Sequence, residues 1–501
     1  MSPGVPGAGR TATPRWTRRV GQNGGVTLSP DTLPSAALGA ELWAGAHEEL
    51  VGRLRDLIRI PSINPPDPPG PETDAAEYVA SLLRAEGLEP EVIEPAPGRG
   101  SVVARLRGDG TGGDPFLLLS HHDVVPVDAS GWTHPPFAAD IADGYVWGRG
   151  AVDMKSMVAM EAMVVILLAR RARAAGLDPA RDPIPGLRRD VLFACTADEE
   201  AGGTDGVQWL VEHRPETLRA AGAVNEAGAV SVDLAGRRFY PVMTAEKGRE
   251  TYRISVHGTW GHGSMPRDDN AITLAAEAIR RLASPGEPRL TGPIRALLDG
   301  VERALPADAA AFARAIADED PRRADAAVGR MCDDMYARAL RALLRDTISP
   351  GVIHAGIKYN VIPGEAVIEI DCRTLPGTTE GDMREEVLAR LGDLAPRCDV
   401  VHVIGAPPVE WPASGELYDL MCDTIRAHDP DGIPVPVMAP FATDGKWTAL
   451  LGTPTYGFSP LRNEPGERFL ERFHGQDERV GLEALRWGLP VLYDVVCRYC
   501  G

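Results

Sequence analysis

Cysteine is scarce and scattered in this 501-residue chain. The seven residues Cys195, Cys332, Cys372, Cys398, Cys422, Cys497 and Cys500 form an odd set without regular spacing. That excludes a disulfide framework. Only Cys497-Arg-Tyr-Cys500 has C-x-x-C spacing, and without a second pair it carries little zinc or redox signal. Basic residues are outnumbered, 52 Lys and Arg against 71 Asp and Glu, for a formal net charge of −19. The shortfall argues against a nucleic-acid groove and against a basic helix on a membrane surface. It does not identify a ligand, because net charge bears on solubility and steering. Long apolar runs are also missing. The most apolar helical stretch, Met157 to Ala169, is interrupted by Glu161 and followed by Arg170, Arg171 and Arg173. It falls short of the ~18–20 apolar residues that span a bilayer and reads as a buried helix. Arg18-Arg19 is not followed by an apolar segment, so no secretory or twin-Arg signal is expected and the cytoplasm is the expected location.

What is present is ordinary globular material, 44% apolar and 25% charged. At ~150 residues per domain the length predicts two or three domains. The first forty residues hold seven Gly and five Pro, with four Arg against one Asp, and read as a disordered tail over 1–40. Helical spacing begins near Glu41 and ends at Pro61. Proline then forces an extended turn at Ile60 to Pro66. A helix from about Thr73, its expected N-cap, stops at Gly87. Strands near 91–93, 101–106, 115–120 and 190–196 alternate with a long helix from about Met154, which predicts an α/β sheet with much parallel pairing. From Lys247 the pattern changes. Strands near 251–256, Tyr359, 366–371 and 400–404, with helices near 271–283 and 380–391, give a β-α-β-β-α-β order, the ferredoxin-like α+β arrangement. An Ala/Arg/Asp-rich helical stretch, about 287–345, interrupts it. After Pro408 the α/β pattern resumes and closes in a helix from about Asp477 to Tyr499. The expected domains are therefore 41–246 and 409–501 as one split unit, with 247–408 inserted.

Five clusters carry chemistry, three of them after an apolar run, one opening the long helix and one just before the closing helix. His121-His-Asp123 places two side chains on one face of a strand, and a carboxylate beside an imidazole fixes its tautomer. Gly148-Arg-Gly-Ala-Val-Asp153-Met-Lys155 opens the long helix. It lacks the third glycine and the later acidic residue of a dinucleotide loop, which excludes a dehydrogenase. Asp198-Glu199-Glu200 follows a buried strand, where three carboxylates are costly unless something positive sits among them. Asn225-Glu226-Ala-Gly228 and Phe473-His474-Gly475 complete the set. Taken singly, each also reads as a helix cap, a surface histidine or a solvated turn. Together they offer nitrogen and oxygen ligands without thiolate, which suits Zn²⁺, and also Mn²⁺ or Co²⁺. Three carboxylates and two imidazoles exceed the needs of one catalytic metal, and a two-metal site with a bridging carboxylate accounts for the excess.

This order of motifs resembles the M20 metallohydrolases, which include aminoacylase-1, acetylornithine deacetylase, succinyl-diaminopimelate desuccinylase and the M20 carboxypeptidases. The resemblance runs from about Leu57 to the C-terminus, outside the tail and the 287–345 stretch. It implies a mixed-sheet, zinc-peptidase-like catalytic domain with an inserted lid and dimerisation domain, and a homodimer. It implies two Zn²⁺ ions: His121 and Glu226 on one, Glu200 and His474 on the other, Asp153 bridging. Asp123 would orient His121, and Glu199 would be the general base. Gly261-His262-Gly-Ser-Met-Pro266 is similar to a family segment whose histidine reaches the opposite protomer's site and stabilises the oxyanion. Asn360 and Arg373 are similar to the family's substrate-binding Asn and carboxylate-binding Arg. His262 also reads as a surface residue, and Arg373 as a partner of Asp371. Phe441-Ala-Thr-Asp444-Gly and Tyr456-Gly-Phe-Ser-Pro460 are more similar to aminoacylase-1 and related N-acyl-amino-acid carboxypeptidases than to the desuccinylases.

The implied activity is hydrolysis of the amide bond of an N-acyl-amino acid, or of a short peptide in a carboxypeptidase or dipeptidase. A non-catalytic binding protein on the same fold predicts lost ligand positions, whereas all five ligand positions and Glu199 are present.

Overall fold

The computed structural model describes residues 34–64, 71–316, 320–328 and 335–501. The tail expected over 1–40 lies outside the described residues as far as 33, and the proline turn is described only through Asn64. The described chain begins at Pro34, ahead of Glu41. Ser35 is buried, and its N–H and hydroxyl both donate to Asp494.

The apolar runs after residue 90 build one mixed ten-stranded sheet. At its centre Phe116–His121 lies parallel to both Val191–Thr196 and Gly222–Asn225. Both six-residue strands are buried along their whole length, as runs without polar alternation require. Ser101–Leu106 and Glu91–Ile93 extend the sheet antiparallel on one side. On the other side come Thr455–Gly457 and the ten-residue strand Arg237–Glu246, which also pairs with Ile433–Ala439. The helix Lys155–Ala174 packs on one face with Ala40–Arg59 and Leu482–Cys500, and it is buried all round until its last turn. Trp209 and Leu210 cover the opposite face at Leu117, Leu119 and Leu192. Among the described residues no helix is long and apolar enough to cross a membrane.

At Lys247 the chain leaves this sheet and enters a second one. Four antiparallel strands lie in the order Thr347–Ala355, Glu365–Thr374, Gly248–His257, Cys398–Ala406. The helices Ala271–Leu282 and Glu380–Leu391 cover it through Ile254, Val256, Ile368, Met383 and Val387. Numbered along the chain, the strand order is 4-1-3-2. Val409–Glu410 then returns to the main sheet beside Ala245 and Glu246. Between the second sheet's first helix and its edge strand stand four helices: Gly292–Ala304, Ala307–Ile316, Pro321–Val328 and Met335–Leu343. Their core of Ile294, Leu298, Val328 and Leu343 closes on Ala245 and Met438 of the main sheet.

Three local expectations change. The strand expected near Tyr359 is Thr347–Ala355. Pro350 and Gly351 disguise it, and both are tolerated because the strand lies at the sheet edge and bulges between Pro350 and Val352. Tyr359 itself is exposed on the following loop. Thr73 is not a cap: the helix starts at Glu72, and the Thr73 hydroxyl donates to Glu94 and accepts the Gly100 N–H. The closing helix starts at Leu482, because Arg479–Gly481 pairs as a strand with Tyr145–Trp147.

Candidate metal centre and active site

The carboxyl ends of the central parallel strands converge, as sites do in open α/β sheets. His121 ends one strand, Asp198-Glu199-Glu200 follows the next, and Glu226 follows Asn225 at the end of the third. Gly228 lets that last turn close, since a Cβ there would stand 1.7 Å from the Gly457 carbonyl oxygen. His121 Nε2 lies 3.2 Å from Asp153 Oδ1 and 3.9 Å from Glu226 Oε2. His474 Nε2 lies 3.2 Å from both Asp153 Oδ2 and Glu200 Oε2. Two groups result, His121/Asp153/Glu226 and Asp153/Glu200/His474, each with its donor atoms within 4.8 Å of one another. Asp153 belongs to both.

The supporting residues fix these side chains. Asp123 lies 3.2 Å from His121 Nδ1. The same carboxylate accepts the backbone N–H groups of Glu200 at 3.0 Å and Glu199 at 3.3 Å, so it ties the histidine to the acidic turn. Asp153 rides on a glycine turn held by Glu478. One Glu478 oxygen accepts the N–H groups of Val152 and Asp153; the other accepts Gly150 N–H and Arg149 Nη1. Gly150, at φ +85°, meets a need for left-handed backbone in that turn.

The electrostatics fit a cation. Burial pushes the Glu200 carboxyl up to about 8, with Asp153 adding to the rise. Glu226 is pushed well above the carboxylate range by burial and by Glu199. Glu199 also rises through burial, while His121 and Lys446 pull it back. Burial opposes ionisation of Asp153 too, yet His121 and His474 hold it low. Asp153 and Glu200 in turn raise His474 to about 10. Glu200 Oε1 is buried with no hydrogen-bond partner. Clustered buried carboxylates with an open oxygen and two imidazoles are the donor set that a divalent ion satisfies.

A cavity of about 370 Å³ opens over these residues. Its floor is Asp153, Glu199, Glu200, Glu226 and His474. The second sheet supplies Arg249, Arg373 and the Ile404–Ala406 segment, and Phe441, Phe473 and Trp447 add apolar walls. Seven of the ten expected site residues thus meet around one point, and Arg373 faces them across the cavity. His262 and Asn360 do not line it. His262 sits on a two-residue strand, Gly261–His262, paired with Val361–Ile362. Its side chain is exposed with Nδ1 2.7 Å from Ser264 Oγ, and the neighbouring Asn360 carbonyl accepts the Gly263 N–H.

Sequence reasoning missed Lys446, Arg249 and Glu478. Composition held a signal for the first. The chain has four lysines against 48 arginines, and Lys155, Lys247 and Lys446 are all buried.

The model for peptidase family M20/M25/M40 matches residues 117–498. Human N-fatty-acyl-amino acid synthase/hydrolase PM20D1 is 25% identical over 459 residues, 88% of this chain and 86% of that protein. A probable carboxypeptidase S-like 2 of Dictyostelium discoideum is 27% identical over 412 residues, 79% of this chain and 74% of that protein. Among solved structures, the M20 family metallo-carboxypeptidase Sso-CP2 of Sulfolobus solfataricus superposes with a TM-score of 0.65 at 18% identity, covering 90% of this chain and 99% of that one. The family match takes in every one of the convergent residues, and the chain belongs to peptidase family M20/M25/M40 as a metal-dependent hydrolase of amide or peptide bonds.

Proposed function

We propose that the protein releases an amino acid from an N-acyl-amino acid, at a site holding two divalent cations, Zn²⁺ by preference. The observation that carries this reading is the sharing of Asp153 between two three-residue donor groups, with Glu199 on the floor of the same cavity. His121, Glu226, Glu200 and His474 complete the two ligand sets. When bound, such cations acidify a water and polarise a carbonyl. Glu199 takes the water's proton and returns it to the leaving amine, a role suited to a carboxyl that burial pushes up. Asp123 keeps His121 in one orientation. The cationic side of the cavity takes the substrate's free carboxylate, and the apolar walls take its acyl group. An acyl-amino-acid substrate agrees with the printed name of the human relative.

The unit at 247–408 acts as the lid in this proposal, with 1–40 as a tail and 41–246 plus 409–501 as the catalytic unit. Two copies pair through it, so that the exposed His262, beside Asn360, serves the partner's site and stabilises the developing oxyanion there. The cytoplasm remains the proposed location, supported by six free cysteines among the described residues; cell fractionation tests it. A carboxypeptidase or dipeptidase is the second reading, favoured by the carboxypeptidase S-like relative.

A panel of N-acyl-amino acids and dipeptides, assayed with added Zn²⁺, Mn²⁺ or Co²⁺, tests the proposal. Acyl-amino acids should turn over fastest, a chelator should abolish turnover, and metal should restore it. Turnover that survives exhaustive chelation contradicts it.

A further inference from the structure

Two chain crossings, side by side, join the second sheet to the main one. Glu246-Lys247-Gly248 leads out and Ala406-Pro407-Pro408-Val409 leads back. Ladder pairing ends at Glu246 opposite Val409 and begins again at Arg249 opposite Ala406. Pro407 and Pro408 have no N–H to donate, so nothing continues the ladder between those points. Such a joint is a hinge, because a few dihedrals in it can absorb a rotation of everything beyond.

The helical stretch 287–345 adds a third connection. In sequence it belongs to the second sheet, between the helix Ala271–Leu282 and the strand Thr347–Ala355, yet it packs on the main sheet. The helix Gly292–Ala304 lies against Ile433–Ala439. Its buried Ile294 and Leu298 share one apolar cluster with Ala245 and Met438 of the main sheet and with Leu375, which follows a strand of the second. Gly300 permits the close approach: a Cβ on it would stand 3.0 Å from Val435 Cγ1. The other end of the stretch grips the hinge. Lys247 is fully buried, and its Nζ donates to the carbonyls of Ala342 at 3.0 Å and Arg345 at 2.9 Å, at and just past the end of Met335–Leu343. A cation is favoured there by the carbonyls that a helix leaves unpaired. The Arg345 side chain turns back to the Gly286 carbonyl and to Asp325, which ties the two ends of the stretch together.

We propose that 287–345 is a brace: docked on Ile433–Ala439 and anchored to Lys247 at the hinge, it holds the second sheet at one angle over the metal residues. The unit at 247–408 is then a fixed cover, and it does not swing with each turnover. The two sides of the cavity already meet, since Arg249 Nη1 lies 3.7 Å from the place a Cβ on Gly202 would occupy. Substrate exchanges through the mouth of a preformed cavity, and no step waits on a lid. The inference concerns the joint between the sheets and holds whatever amide is cleaved.

A cross-link on the full-length, metal-loaded enzyme tests it. Gly300→Cys with Val435→Cys puts two Cβ atoms 3.5 Å apart. A disulfide spans about 3.5–4.5 Å between Cβ atoms, so the bond should form on mild oxidation. The oxidised enzyme should keep kcat and KM within about twofold of its reduced form, on whichever N-acyl-amino acid or dipeptide it cleaves fastest. A kcat that falls about tenfold or more on oxidation and returns with reductant marks a cover that must lift, and overturns the proposal. Failure of the bond to form overturns it too. A second measurement is independent of turnover. Nitroxide labels on the exposed positions Ser81 and Glu385, through Ser81→Cys and Glu385→Cys, report the distance between the two units by pulsed electron resonance, with protein carrying only its own cysteines as the blank. The distribution should be narrow, and unmoved by an N-acetyl-amino acid at a concentration where calorimetry shows it bound. It should broaden in Leu298→Asp, which puts a charge into the cluster, and in Gly300→Leu, which pries the helix away without one. A shift on binding, or an unchanged width in both loosened variants, overturns the brace. If no acyl-amino acid binds, the proposed function fails, while formation of the cross-link and the broadening still decide the brace.

Discussion

Glu478 offers the sharpest test of how the centre is held, because it is outside both candidate ligand sets and yet fixes the turn that carries Asp153. Four donors converge on it: Arg149 Nη1 at 2.7 Å and Gly150 N–H at 3.0 Å on one oxygen, Val152 N–H at 2.7 Å and Asp153 N–H at 3.0 Å on the other. Glu478→Gln keeps one oxygen and turns its amide NH₂ toward whichever pair of donors it abandons. Two charge-assisted bonds at about 1.5–3 kcal/mol each are then lost, before the turn relaxes. The same figure follows from Arg149, which is 3% exposed and would be a buried charge without its partner, at a cost of about 3–5 kcal/mol. A loosened Asp153 should weaken metal binding by about 10- to 100-fold, the usual toll of losing an outer support. The assays are chelator competition for the metal and thermal melting of the metal-free protein. Arg149→Met with Glu478→Met should recover most of the melting temperature, since no charge stays buried alone. It should not recover metal affinity, because the Val152 and Asp153 N–H groups still lack an acceptor. Metal affinity within about twofold of wild type in Glu478→Gln, where a support should cost tenfold or more, would show that Glu478 does not hold the turn for the metal.

Two further outcomes follow from other parts of the molecule. If His262 serves the partner's site, then His262→Ala and Glu199→Ala should each be nearly inactive alone, yet mixed protomers should regain activity; a mixture as inactive as its parents rules that out. Lys247 is fully buried, with Nζ donating to the carbonyls of Ala342 and Arg345, and burial pulls it down to about 7. An unfolded lysine titrates near ~10.4, so between about pH 7 and 10 the unfolded chain binds one proton more and stability rises with pH. The wild-type midpoint should therefore gain on that of Lys247→Met as pH climbs through that window. A constant difference contradicts it.

The alternation of strands and helices was legible because burial dictates side-chain period, whereas the second sheet was legible only in part, its edge strand Thr347–Ala355 having been expected near Tyr359. His121, Asp198-Glu199-Glu200 and Glu226 were legible because each ends or follows an apolar strand, whereas Asp153 in its glycine turn and His474 before the closing strand and helix were legible only through the order of the motifs. The contacts that hold them were not. Glu478 and Gly150 are 328 residues apart, and nothing local in either segment points to the other. Pro350 hid an edge strand, since a proline says where a strand lies in a sheet only once the sheet is known.

In the proposed mechanism the half-buried Glu199 carboxyl, beside the two donor groups, activates water for amide cleavage. Glu199→Gln tests it most directly, with metal content and single-turnover hydrolysis of an N-acyl-amino acid measured on the same preparation. If Glu199 is that base, metal content stays unchanged from wild type and the rate falls by about 10²–10⁴, the contribution of a positioned general base. Hydrolysis at the wild-type rate with the metal content intact would contradict it.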